Sequence, residues 1–208
     1  MAVSAALDAG RWGALMTRLG LPPLHDVFER LQALHAEPHR HYHTAAHVNA
    51  LLAHLDRERE DAAGPDRIEL AIWFHDAVYK PTSKTNVTDS AAMARDVLAP
   101  HLAPDVVDWV ERTIRLTADH GDTDDPDTAL MLDLDLSGLG ADADVYDAYT
   151  RNVRREYRWV PGPLFRRGRR KVLDHVLAMP RIYKTDSLAQ RWEAQARANL
   201  RLELKHLS

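Results

Sequence analysis

Apolar residues recur along the chain at three- and four-residue spacing, and runs of β-branched residues in strict alternation are absent, so the pattern predicts helices and no strands. Ten helical segments can be marked out. The first covers residues 6–19 and stops at Gly20, Pro22 and Pro23. In the second, Leu24, Val27, Phe28, Leu31 and Leu34 form one apolar stripe. A third runs from Thr44, whose hydroxyl is placed to cap it, to about residue 59, with Val48, Leu51, Leu52 and Leu55 on its apolar face. Gly64 and Pro65 break the chain before a fourth segment over 66–79.

Residues 80–86 are polar and aperiodic, and Asp89 or Ser90 can cap a fifth helix ending near residue 98. Pro104 opens a sixth that reaches about residue 116. An acidic, turn-rich loop precedes the seventh, over 129–139, which Gly140 ends. The last three are expected over 145–159, 164–179 and 187–207. No repeat, heptad run or linker divides the sequence, so the expectation is all-α, a single compact helical domain over 1–208, long enough to bury one sizeable core.

Composition narrows the chemistry. The chain has no cysteine, which removes disulfides, thiolate zinc sites, iron–sulfur clusters and cysteine nucleophiles, so any metal must be held by nitrogen and oxygen. No run approaches the ~18 apolar residues of a membrane span, and the first twenty residues lack the continuous apolar core of a secretion signal. No membrane partner and a cytoplasmic location are expected. A net charge of -4 argues against nucleic acid as a partner, and no feature specifies an oligomeric state. Twelve histidines are the oddity, because six of them (His35, His39, His41, His43, His47 and His54) fall within twenty residues.

Three elements combine histidine with acid: His43-Thr-Ala-Ala-His47, the doublet His75-Asp76, and Leu-Asp133-Leu-Asp135-Leu-Ser137. If both are helical, His43 and His47 lie ~40° apart around the axis and can address one site. His75 and Asp76 differ by ~100°, yet at a helix end both can still turn toward a common ion. With a carboxylate from a distant helix they form a mixed imidazole and carboxylate set that suits Fe, Mn, Zn, Co or Ni better than Ca.

In order and residue type these elements resemble the H…HD…D signature of the HD-domain superfamily of metal-dependent phosphohydrolases. HRHYHTAAHV, AIWFHDAVY, LDLDLSGLG and VRREY are similar to one bacterial branch of it, and with the closing helix the resemblance covers about residues 35–205. It implies an HD-type bundle that hydrolyses phosphoester or phosphoanhydride bonds of a small nucleotide or other phosphorylated metabolite. It also implies one or two divalent transition ions (Mn, Fe, Co, Ni or Zn, with Mg admissible), held by His47, His75, Asp76 and one late aspartate. Asp133 and Asp135 are ~200° apart on a helix, so one of them faces the metal. Asp135-Leu-Ser resembles the Ala-Asp-Leu-Ser context of cyclic-nucleotide phosphodiesterases and is chosen, with Asp133 receiving an imidazole N–H. The same comparison makes His43 the acid that protonates the leaving oxygen. His120 is a candidate extra ligand or substrate contact.

The branch carries Asn-Glu where this chain has Asn86-Val87. Either Asp89 takes over the missing acid's work or Asp76 and the metal suffice. Two other classes fit the same ligands: an HD-type diiron oxygenase and a metal-stabilised binding module without turnover. Residues 151–171 hold nine basic residues and one acid, and residues 119–147 hold ten aspartates with no Lys or Arg. Arg154 and Arg158 are therefore candidates for holding phosphate oxygens, with Lys80 and Lys84 as lid cations. The competing reading is two solvated faces that balance each other.

Overall fold

The structure, a computed structural model, describes residues 6–207. Among the described residues there are ten α-helices, one 3₁₀ helix and no strand, as the apolar pattern predicts. The helices are α1 (Ala9–Arg18), α2 (His25–His35), α3 (Ala45–Glu58), α4 (Pro65–Phe74), α5 (Asn86–Leu98), α6 (Pro104–Leu116), α7 (Pro126–Asp135), α8 (Ala143–Glu156), α9 (Gly162–Ala178) and α10 (Asp186–His206). The 3₁₀ helix is Leu136–Gly140. No described helix is long and apolar enough to cross a membrane. The chain divides into two compact units, Met1–Leu132 and Asp133–Ser208, with the division falling inside the unbroken helix α7 rather than in a linker.

In the first unit α4 is the central element, with α1, α3, α5 and α6 packed against it. Its Ile68, Leu70, Ala71, Ile72, Trp73 and Phe74 are all buried, as a helix apolar on every side must be. Trp12 meets Trp73 edge-on at 5.3 Å between ring centroids, and Phe28 and Phe74 close the aromatic cluster. Glu69 breaks the apolar pattern with a side chain fully out of solvent. It is tolerated because its oxygens accept from Arg11 Nε (2.8 Å), Arg18 Nη2 (2.8 Å) and Arg59 Nη1 (3.0 Å).

The acidic loop before α7 has two structural jobs within this unit. Asp125 caps α7, accepting from the Asp127 N–H (3.0 Å), the Thr128 hydroxyl (3.1 Å) and the Trp109 indole. Asp127 accepts from Ala63 N, Gly64 N and the Arg67 guanidinium, which ties the start of α7 to the start of α4. The helix accordingly begins at Pro126, three residues ahead of the expected 129, with proline at the first helical position.

The second unit contains the 3₁₀ helix and α8 to α10. Asn199 Nδ2 donates to the carbonyls of Leu139 (2.9 Å) and Ala141 (2.8 Å), fixing the 3₁₀ helix on α10. Between those carbonyls Gly140 admits no side chain, since a Cβ there would stand 2.5 Å from Trp192 Cβ. Asp133 accepts from Lys184 N, Thr185 N and the Thr185 hydroxyl, each at 2.7 Å, and so holds the residue that caps α10.

Candidate metal centre

The apolar run of α4 carries the chain to Phe74 and delivers His75 at its C-cap, almost completely buried. The sequence pattern extends this helix to residue 79, but it ends at Phe74 and residues 75–78 form a turn. Arg40 supplies the reason. Its buried guanidinium donates to the carbonyls of Asp76 (2.6 Å), Ala77 (2.8 Å) and His43 (3.2 Å), so the turn's carbonyls are satisfied without helical N–H groups. Glu37 accepts from Arg40 Nε at 3.1 Å and balances its charge. One side chain thus joins the segment before α3 to the segment after α4.

His75 Nδ1 donates to the Ile72 carbonyl at 2.8 Å. Because a carbonyl can only accept, a proton sits on Nδ1, and the other ring nitrogen is Nε2. That Nε2 stands 3.3 Å from His47 Nε2 and 3.1 Å from Asp76 Oδ2, and His47 Nε2 stands 3.7 Å from the same carboxylate oxygen. Ligands bonded at ~2.0–2.2 Å to one tetrahedral or octahedral ion stand ~3–3.6 Å apart, and two of these three separations fall in that range while the His47–Asp76 distance lies just beyond it. Asp135, the late aspartate of the expected set, is the last residue of α7 and belongs to the second unit. Two imidazoles and a carboxylate, without any sulfur, fit a borderline transition ion.

His43 lies ahead of α3, not in it. Thr44 occupies the N-cap position with extended backbone, and its hydroxyl makes no capping bond. The helical 40° relation between His43 and His47 therefore does not apply, and ring stacking places His43 instead. Its ring lies on Tyr79 at 4.1 Å between centroids, meets Tyr42 edge-on at 5.0 Å and stands 6.2 Å from His47. His39 Nε2 hydrogen-bonds the Tyr79 carbonyl at 2.8 Å, so the histidine-rich segment and the strand-like residues after the turn hold one another.

The remaining candidates lie elsewhere. Asp89 is exposed in the first turn of α5, where its carboxylate accepts the Thr85 hydroxyl at 2.8 Å; α5 starts at Asn86, ahead of the expected Asp89 or Ser90. Lys80 and Lys84 are exposed on the loop before α5, which Asn86 closes by bracketing the backbone of Lys80 (3.0 and 2.9 Å). His120 follows α6 with a left-handed backbone (φ 53), its N–H returning to the Leu116 carbonyl as a helix-ending bond. Both oxygens of Asp133 serve α10, and burial pushes its carboxyl above the ordinary range despite the donors from Thr185 and Lys184. In the second unit, Arg154 gives its guanidinium to the carbonyls of Tyr157 (2.6 Å) and Val160 (3.1 Å) and lies over the Phe165 ring, whereas Arg158 is exposed.

Two residues of the centre's surroundings are not singled out by spacing. Arg40 sits in the quoted HRHYH run, and a lone arginine among histidines is the one available signal. His35 is buried with both ring nitrogens lacking a hydrogen-bond partner, and its pKa is lowered to about 3 by burial first and the charge of Arg40 second. No family model, curated protein or solved structure matches the chain.

Proposed function

We propose that the chain is a metal-dependent hydrolase of phosphoester or phosphoanhydride bonds, acting on a small phosphorylated metabolite of the nucleotide class. The observation that supports this reading is the imidazole pair: His75, held through Nδ1 by the Ile72 carbonyl, has its Nε2 3.3 Å from His47 Nε2, with the Asp76 carboxylate 3.1 Å away. His47, His75, Asp76 and Asp135 would hold a divalent ion, which supplies Lewis acidity toward a phosphoryl oxygen and lowers the pKa of water.

The chain's own groups do the rest. Asp76, whose side chain is 17% exposed, is the open carboxylate and takes a proton from the attacking water. His43, held between Tyr42 and Tyr79, gives a proton to the leaving oxygen as the bond from phosphorus breaks. Arg40 keeps the turn that carries Asp76 from drifting. The experiment is elemental analysis after purification without chelator, followed by a phosphate-release screen over nucleotides and simple phosphoesters. His75→Ala should lose metal and turnover together, whereas His43→Ala should keep its metal and lose about 10²–10⁴-fold in rate. A chain that takes up none of Mn, Fe, Co, Ni or Zn would end this proposal.

A further inference from the structure

We infer that the second unit carries a separate binding site for a small polyphosphate-bearing ligand, in a pocket of about 510 Å³ formed by α8, α9 and the end of α10. The pocket shares no residue with the metal centre. Its size falls in the range of sites for drug-sized or nucleotide-sized ligands and is far larger than a single phosphate needs.

The charges that line it are unequal in what they already do. Arg154 is spent: its N–H groups serve the Tyr157 and Val160 carbonyls, and its flat face covers Phe165 at 4.6 Å, making one wall. Glu203, the one acid of the lining, is neutralised by the Tyr146 hydroxyl and by both Nε (2.8 Å) and Nη2 (3.0 Å) of Arg169. Arg151, Arg155 and Arg166 are different, since among the described residues they make no hydrogen bond or ion pair. Arg151 and Arg155 are also four apart on α8, an arrangement in which like charges repel.

Three exposed arginines with unused donors line one open cavity, and Gly162, the first residue of α9 and the positive end of its dipole, lines it with them. The complement is an anion with several oxygens and more than one charge, because each guanidinium can bind two oxygens in parallel. A chain of two or three phosphates offers that set, and a carboxylate does not. The ligand is a nucleoside polyphosphate or an inorganic polyphosphate, which share this chemistry.

Titration calorimetry on the full chain tests it, with tripolyphosphate, ATP and adenosine as probes, in the native protein and in His75→Ala. Tripolyphosphate and ATP should bind in both proteins, and adenosine in neither. Tighter binding of ATP assigns the nucleoside form, and equal binding assigns the phosphate chain. The combined Arg151→Gln, Arg155→Gln, Arg166→Gln variant should weaken binding by about tenfold or more, as should each single change in smaller measure. Arg167→Gln, an exposed neighbour outside the lining, should change it less than about twofold. These arginines have no partners to lose, so the unfolding midpoint of the variant should not fall. Native affinity in the triple variant, loss of binding in His75→Ala, or equally tight binding of a polyglutamate peptide would each overturn the site. Failure of the metal-centre proposal leaves all of these measurements standing.

Discussion

Removing the Arg40 guanidinium while keeping its bulk, by Arg40→Met, separates the clamp from its packing. The native side chain is 4% exposed and makes three charged hydrogen bonds, to the carbonyls of His43, Asp76 and Ala77. Charge-assisted bonds contribute about 1.5–3 kcal/mol each, but taking a guanidinium out of water costs several kcal/mol, which the methionine recovers. The net loss is about 2–4 kcal/mol, dominated by carbonyls left without donors. For a chain of 208 residues each kcal/mol moves the unfolding midpoint by ~2–4 °C, so a fall of about 10 °C is expected in calorimetry. Metal affinity should fall by about 10–100-fold, because the turn bearing Asp76 is no longer fixed. Arg40→Lys restores the charge but not the fork, and should recover less than half of either effect. A methionine variant that melts within about 1 °C of the native protein and binds metal with native affinity would show that Arg40 is a passenger.

Two further outcomes follow from the late aspartates and from His35. Asp135→Asn should lower metal affinity more than Asp133→Asn does, whereas Asp133→Asn should cost about 1–3 kcal/mol of stability through the lost acceptors at Thr185 and Lys184; paired metal titrations and thermal scans test both, and the opposite order of metal affinities would exchange their roles. His35 has a folded pKa of about 3 against an ordinary 6.5, so the stability tied to its neutral ring is complete above about pH 6.5 and drains away as pH falls toward 3. His35→Phe should flatten the decline of the midpoint between about pH 6.5 and 4, and unchanged slopes in the two proteins would remove His35 as its cause.

The helix inventory was legible because apolar spacing is a local property. Ends were less so, and for identifiable reasons. The fourth helix reads as continuing to 79 because Ala77, Val78 and Tyr79 keep the apolar pattern, while the donor that ends it, Arg40, is 36 residues away in sequence. The start of α7 was readable after all, in Asp125-Pro126, a cap followed by proline at the first turn. Within the first unit, His47, His75 and Asp76 stand close together, and the choice of Asp135 over Asp133 rested on the Leu-Ser that follows it, since helical phase says only that the two point apart. Position alone gives no hint that Asp133 serves a backbone 51 residues on, or that ring stacking, not helical phase, places His43.

Glu69 gives the N-terminal helix an importance that its distance from the histidines conceals. Two of the three guanidiniums that neutralise this buried carboxylate, those of Arg11 and Arg18, come from α1, and Trp12 of the same helix fills the aromatic core against Trp73. Trimming the protein to residues 35–205, the portion that resembles a known signature, would strand a negative charge in the middle of α4 with only Arg59 to answer it. The shortened chain would have to admit water beside Trp73, on the helix whose C-cap is His75. An expression boundary drawn from motif resemblance alone would therefore cut into the support of the metal centre, and the least costly remedy in a trimmed chain is an uncharged, similarly sized residue at position 69.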